Sequence, residues 1–180
     1  RFVPEVLRFD SAEGDLTGGE LFQKGLIALQ SEASALVCKA ANPKPGQKVL
    51  DACAAPGGKT AALAAIAKNG ANITAWDVHP HRVELIKATC ERLGAANVTA
   101  DVKDASVYDA AYEKQFDVVL IDAPCSGLGV AGKPDLKLKK AKEDVTALSN
   151  LQLAILSACS KYVKPGGVLG IEEHRADPGQ

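Results

Sequence analysis

Short apolar runs alternate with amphipathic stretches along the chain from about residue 31 onward. The apolar runs have the length of buried strands, and the stretches between them are long enough for helices. This alternation is typical of α/β proteins that contain a parallel sheet. The predicted strands cover residues 48–52, 72–76, 97–100, 116–121 and 168–171. We therefore expect an α/β fold with a mostly parallel sheet and helices on both faces.

The stretches between these strands predict helices at residues 60–68, 80–93 and 144–163. The second of them carries Val83, Ile86 and Cys90 on one stripe, which is the spacing of a helix that packs against a sheet. Residues 116–121 (FDVVLI) are the most apolar run, so we expect them to form the central strand. Residues 25–30 (GLIALQ) fit the alternation less well and could form an additional strand.

The composition indicates one folded domain. The chain has 180 residues, of which 47% are hydrophobic and 24% are charged, and this balance excludes a disordered protein. The net charge of -1 means that any contact with a polyanion must come from a local patch. The sequence contains neither a membrane-spanning apolar run nor a basic leader, so we expect a cytoplasmic protein. The five scattered cysteines lack a C-x-x-C pair, so we expect no metal site and no disulfide framework. A monomer is expected.

Acidic residues fall at or just beyond the ends of four successive predicted strands, namely Asp51, Asp77, Asp104 and Asp122. In an open parallel sheet, ligands bind in the crevice outside these ends. The Gly57-Gly58 turn allows the backbone to approach a ligand closely, and an acidic residue after the second strand suits ribose hydroxyls.

The glycine turn lacks the G-x-G-x-x-G spacing of a pyrophosphate-binding loop, which favours a nucleoside without phosphates. Any single aspartate among these four could equally cap a helix or begin a turn. Four of them at one edge of the sheet favour a ligand site.

Two motifs carry a resemblance to a known family. Residues 49–60 (VLDACAAPGGKT) and 122–130 (DAPCSGLGV) closely resemble the NOL1/NOP2/Sun family of RNA (cytosine-5)-methyltransferases, and within it the bacterial Sun or Fmu type that methylates 16S ribosomal RNA. The likeness extends from about Leu26 to Leu169. It implies a Rossmann-like, S-adenosylmethionine-dependent methyltransferase fold.

The resemblance also implies a domain organisation. Residues 31–180 would be the catalytic domain, with its C-terminal strands incomplete, and residues 1–30 would be the remnant of a preceding domain or a linker. The chain begins at Arg1 and contains no methionine. We therefore expect it to be a piece of a longer protein.

The same resemblance implies roles for individual residues. Asp77 would hold the ribose hydroxyls of S-adenosylmethionine, Asp104 would meet its adenine, and Asp122 would lie near its amino-acid end or near the target base. The loop around the cofactor would consist of Cys53, Ala54, Ala55, Pro56, Gly57, Gly58 and Lys59.

Methylation of cytosine C5 needs a cysteine that adds to C6, because C5 itself is a poor nucleophile. Members of the resembled family carry two active-site cysteines. Cys125 matches the one that helps the covalent adduct to break down, beside Asp122. The other, the nucleophile, belongs to a Thr-Cys motif after the Pro-Gly-Gly turn.

This chain has residues 170–175 (GIEEHR) where the Thr-Cys segment is expected, and a direct count places His174 at the position of the nucleophile. Three explanations remain open. The catalytic strand was lost from the sequence, which the abrupt change to a polar tail favours; the chain is a truncated and inactive form; or the protein is a natural inactive module that binds RNA or the cofactor.

A lysine-rich segment follows the second motif and predicts contact with RNA phosphates. Its lysines are Lys133, Lys137, Lys139, Lys140 and Lys142. A solvated helix face is the alternative, but the position beside the DAPC motif favours RNA. The expected RNA is ribosomal, and transfer RNA is the alternative.

Overall fold

The computed structural model describes residues 6–7, 15–124 and 142–172, with side chains in the last range from residue 146 onward. In these ranges the chain forms five strands, which are β1 (Lys48–Asp51), β2 (Asn72–Asp77), β3 (Val98–Val102), β4 (Phe116–Asp122) and β5 (Val163–Glu172). The helices are α1 (Glu20–Gln23), α2 (Glu32–Ala41), α3 (Gly58–Ile66), α4 (Pro80–Arg92) and α5 (Lys142–Cys159), with a short 3₁₀ helix at Ala110–Tyr112. No helix in the described part is long and apolar enough to cross a membrane.

The strands form one sheet in the order β3-β2-β1-β4-β5, and every neighbouring pair is parallel. The predicted α/β class and the parallel sheet are confirmed. The middle strand is β1, however, and the prediction that residues 116–121 form the central strand is wrong. Strand β4 lies between β1 and β5, and an interior position next to the middle is enough to bury a continuous apolar run.

Alternate residues of the central strands supply two separate cores. Val49 of β1 and Leu120 of β4 pack against α2 and α3, together with Cys38 and Leu63. Their neighbours Leu50 and Ile121 face the other side, where Ile155 and Cys159 of α5 cover them. The alternation follows from the two-residue period of a strand. Helices therefore cover both faces, as the sequence predicts.

Strand β5 begins earlier than the sequence predicts. The helix expected to reach residue 163 ends at Cys159, and Val163 already pairs with Phe116. The next pair joins Val118 to Val168. An advance of two residues along β4 therefore corresponds to an advance of five residues along β5. The Pro-Gly-Gly segment lies inside this irregularity as a bulge. The expected turn before the strand is thus a distortion within it.

Residues 25–30 form no strand, so the additional strand that the sequence allowed there is not observed. Instead, Arg92 at the end of α4 holds the segment that follows α1. Its guanidinium lies 3.8 Å from the centre of the Phe22 ring, and Nη1 donates to the carbonyl oxygens of Phe22 at 2.6 Å and Ile27 at 3.3 Å. The backbone of this segment bonds to a side chain rather than to a sheet edge.

Gly25 is the residue that permits this contact. Its φ is +70°, and a Cβ at this position would stand 1.7 Å from the carbonyl oxygen of Arg92. No side chain fits in that space, and an L-residue would also be strained at this φ.

We expect Gly25→Ala to separate residues 20–27 from α4 and to destabilise the protein by about 1–3 kcal/mol. Trypsin should then cleave after Lys24 faster than in the unchanged protein. Gly46→Ala is the matched control, since Gly46 has φ +85° but nothing within 4 Å of the new Cβ. Equal cleavage rates after Lys24 in the two variants would contradict the assignment.

Candidate functional site

A cavity of about 400 Å³ opens at the carboxyl edge of the sheet. The ends of four strands and one face of α5 line it. The lining residues are Ala52, Cys53, Ala55, Asp77, Val78, Arg82, Lys103, Asp104, Ala105, Asp122, Ala123, Pro124, Leu151 and Ile155.

Three of the four predicted acidic residues line this cavity. Asp77 and Asp122 are the last residues of β2 and β4, and Asp104 follows the end of β3 by two residues. Asp51 ends β1 but is fully buried and does not line the cavity. The parallel register brings the three carboxylates to one opening, as the strand pattern predicts.

The loop between β1 and α3 contributes Cys53 and Ala55 to the lining. The amide of Ala54 donates to the carbonyl of Trp76 at 2.8 Å, which fixes the loop to β2. Gly57 has φ +103°, and a Cβ there would lie 3.0 Å from the Cα of Ile86. The loop therefore needs glycine where it passes α4. The remaining predicted loop residues Ala54, Pro56, Gly57, Gly58 and Lys59 shape or support the cavity without lining it.

Asp77 is held in place from two sides. Its Oδ1 accepts a hydrogen bond from the amide of His79 at 3.0 Å. Its Oδ2 lies 3.5 Å from Nη1 of Arg82, and the Asp77 side chain is only 5% exposed. A carboxylate fixed in this way can accept hydrogen bonds from two adjacent hydroxyls.

Lys103 and Asp104 form the wall beyond β3. Asp104 Oδ1 accepts from the amide and the hydroxyl of Ser106, at 2.9 and 2.6 Å. Lys103 Nζ bonds to Asp109 at 2.7 Å and lies 4.8 Å from the centre of the Tyr112 ring. The hydrogen bond to Asp109 raises the pKa of Lys103 above its ordinary value. Both residues are thus oriented by neighbours on the same connection.

Lys59 connects two carboxylates at the opposite end of the cavity wall. Its Nζ lies 2.6 Å from Asp122 Oδ2 and 3.1 Å from Glu172 Oε2. Burial by itself favours the neutral amine, but the contacts with the two carboxylates outweigh it and raise the pKa of Lys59. Ser34 donates its hydroxyl to the other oxygen of Glu172 at 3.0 Å.

The cysteines among the described residues are unsuited to nucleophilic attack. Burial raises the pKa of Cys38 and Cys159 to about 12 and that of Cys90 to about 11. Burial and the nearby Asp51 also raise the pKa of Cys53, which is the one that reaches the cavity. A thiol must ionise before it attacks, so these four remain unreactive near neutral pH.

Cys125 and the lysines at 133, 137, 139 and 140 lie outside the described residues, as does His174. Lys142 begins α5, but its side chain is also outside that part. The roles predicted for these residues stay predictions.

The comparisons with known proteins assign this chain to a family. The family model for the 16S rRNA methyltransferases RsmB/F matches residues 38–170. The chain belongs to the RsmB/F family. This confirms the resemblance to RNA cytosine methyltransferases that the two motifs carry.

Individual relatives agree with this assignment. A probable ribosomal RNA small subunit methyltransferase B from Bacillus subtilis (strain 168) is 45% identical over 174 residues, which cover 92% of this chain and 39% of that protein. The crystal structure of NSun6 from Pyrococcus horikoshii with SFG aligns at 30% identity with a TM-score of 0.77, covering 88% of this chain and 41% of that one. The chain thus spans about two fifths of the length of these relatives.

Proteins outside the RsmB/F family share this fold. A SAM-dependent O-methyltransferase from Thermotoga maritima aligns with a TM-score of 0.58 at 17% identity, covering 80% of this chain and 44% of that one. At this identity the likeness shows the fold alone. It confirms the expected Rossmann-like methyltransferase architecture.

Sequence reasoning missed three charged residues of the site. Arg82 and Lys103 line the cavity, and Glu172 contacts Lys59. Arg82 lies in the first turn of α4, only five residues after Asp77, and this short spacing could have indicated the contact. Glu172 had no such signal, because Lys59 and Ser34, which contact its side chain, lie more than 100 positions away in the chain.

Asp51 is buried beneath the cavity. Thr60 donates its hydroxyl to Asp51 Oδ2 at 2.7 Å, while Oδ1 has no hydrogen-bond partner among the described residues. Burial raises the pKa of Asp51 to about 6, although the bond from Thr60 opposes the shift. Because the folded pKa exceeds the unfolded one, ionisation of Asp51 costs stability as the pH rises from about 4 through 6.

We expect Asp51→Asn to remove this cost while keeping an acceptor for Thr60. The free energy of unfolding of the variant, relative to the unchanged protein, should rise by about 2–3 kcal/mol between pH 4 and pH 7.5. Urea unfolding across this range measures it. Thr60→Ser keeps the hydroxyl and should follow the pH dependence of the unchanged protein. If the difference in unfolding free energy between Asp51→Asn and the unchanged protein stays constant across this pH range, Asp51 does not titrate there.

Proposed function

We propose that the cavity binds S-adenosylmethionine and that the protein transfers its methyl group to C5 of a cytosine in 16S ribosomal RNA. Membership of the RsmB/F family supports the reaction. The observation that carries the cofactor site is the convergence of Asp77, Asp104 and Asp122 on one cavity beside the loop after β1.

The cavity offers a suitable partner for each part of the cofactor. Asp77 would accept from the two ribose hydroxyls, because its carboxylate is buried and already oriented by His79 and Arg82. Asp104, two residues beyond the end of β3, would bond to the adenine. Asp122, held by Lys59, would face the amino-acid end or the target base. When bound, the cofactor supplies the methyl group on a positively charged sulfur.

The remaining chemistry requires two thiols. Cys125 lies outside the described residues, and the nucleophile would belong to the Thr-Cys segment that this sequence lacks. A thiolate would add to C6 of the cytosine and raise the electron density at C5, which then accepts the methyl group. A base would remove the C5 proton, and elimination of the cysteine would release the RNA. In this scheme Cys125 assists release, and the lysines at 133, 137, 139, 140 and 142 contact RNA phosphates.

The alternative is a module that binds cofactor or RNA without methylating. A specific observation supports it, because residues 170–175 (GIEEHR) stand where the family sequence has its Thr-Cys motif, and Glu172 among them is buried. A site without the nucleophilic cysteine could still hold the cofactor.

We expect Asp77→Asn to weaken S-adenosylmethionine binding by about tenfold to a hundredfold, because hydrogen bonds to a charged acceptor are replaced by bonds to a neutral one. Isothermal titration calorimetry measures the Kd. Asp101→Asn is the control, since Asp101 is exposed on β3 and does not line the cavity. An unchanged Kd for Asp77→Asn would exclude Asp77 from the cofactor site.

The variant Cys125→Ala distinguishes the two hypotheses, a methylating enzyme and a module that only binds. With 16S rRNA and labelled cofactor, we expect the unchanged protein to transfer label and the variant to accumulate a covalent RNA adduct on a denaturing gel. Cys38→Ala, at a buried and unreactive thiol, should behave as the unchanged protein. Intact mass is measured first, since a mass above 18.7 kDa would show that further chain is present. If the unchanged protein and Cys125→Ala both bind the cofactor but show neither label transfer nor an RNA adduct, the protein is a binding module.

A further inference from the structure

The end of β5 contributes a buried carboxylate that neither motif contains. Glu172 is 6% exposed. It pairs in register with Asp122, the last residue of β4, so the two strands end side by side. Register partners in a parallel sheet point to the same face, and two carboxylates placed in this way repel each other unless a cation lies between them.

Lys59 is that cation. It reaches both carboxylates from α3, at 2.6 Å from Asp122 and 3.1 Å from Glu172, and its side chain is 13% exposed. At so little exposure, water cannot replace a missing partner, so the position of the ammonium depends on both acceptors.

Helix α2 fixes Glu172 from the other side. Ser34 donates its hydroxyl to Glu172 Oε1 at 3.0 Å. Ser31, the N-cap of α2, in turn donates to the Ser34 hydroxyl at 3.0 Å and accepts from the Ser34 amide at 3.1 Å. Each oxygen of Glu172 therefore has a separate partner, and the series of contacts runs from the start of α2 to the cavity wall.

The geometry points to Glu172 as a positioning residue, which together with Ser34 holds the Lys59 ammonium against Asp122 and places a second carboxylate behind this wall of the cavity. The inference rests on the proposed cofactor site for its functional consequence. The Glu172 carboxylate adds a negative charge beside Asp122, which favours a positively charged ligand over a neutral one of the same shape. S-Adenosylmethionine carries a sulfonium charge, and its demethylated product does not.

The first test observes the ammonium itself. Lysine NH₃⁺ protons held by carboxylates exchange slowly with water, and ¹H–¹⁵N spectra of the free protein detect them. We expect Glu172→Gln to accelerate exchange at Lys59 by about threefold or more, because the ion pair between the ammonium and the Glu172 carboxylate is lost. Ser34→Ala should act in the same direction, whereas Ser34→Thr, which keeps the hydroxyl, should restore slow exchange. Glu84→Gln, at an exposed pair with Lys87, is the control.

The second test measures charge selectivity. The affinity for S-adenosylmethionine relative to S-adenosylhomocysteine, both measured by calorimetry, should fall about threefold to tenfold in Glu172→Gln and remain unchanged in Glu84→Gln. A purely structural role would weaken both ligands equally and leave the ratio unchanged.

The two tests fail separately. Unchanged exchange at Lys59 in both Glu172→Gln and Ser34→Ala would overturn the positioning role. An unchanged affinity ratio would overturn the charge effect. If the unchanged protein binds neither ligand, the proposed function fails, and the exchange rates still decide whether Glu172 positions Lys59.

Discussion

The parallel pairing of β1 with β2 and β4 is the constraint on which the rest of the structure depends. Parallel strands end at the same edge, so residues far apart in sequence meet there without any further device. Asp77 and Asp122 are 45 residues apart in the numbering, yet both line one cavity because β1 pairs with both of their strands. The helices that cover the two faces of the sheet shield the paired strands from water and leave the carboxyl edge of the sheet open.

Several charged side chains meet at the open edge of the sheet, and each needs a partner that stabilises its charge. Lys59 lies between two carboxylates, Arg82 lies beside Asp77, and Thr60 bonds to the fully buried Asp51. Buried charges without partners are costly, so each contact stabilises a group that the apolar sheet would otherwise exclude. The same contacts orient the side chains before any ligand arrives, which suits a site that must hold a cofactor in one position.

Most of the fold and part of the site could be predicted from the sequence. The strand positions, the acidic strand ends and the glycine turn at Gly57 follow from local periodicity and motif spacing. Local patterns do not report strand order, so the most apolar strand was wrongly expected in the middle. They also missed the bulge before Val168, because the Pro-Gly-Gly segment indicates a turn whether it precedes a strand or lies within it.

The sequence by itself determined the family and the ligand class, because two short motifs, at residues 49–60 and 122–130, carry the family signature and part of the cavity lining. Only the tertiary structure decided which groups surround Lys59, and it separated Asp51, buried beneath the cavity, from the acidic residues that line it. The physical reason is distance along the chain. Ser34 and Glu172 are 138 residues apart, and the packing of α2 against β5 brings them together, which a local pattern cannot specify.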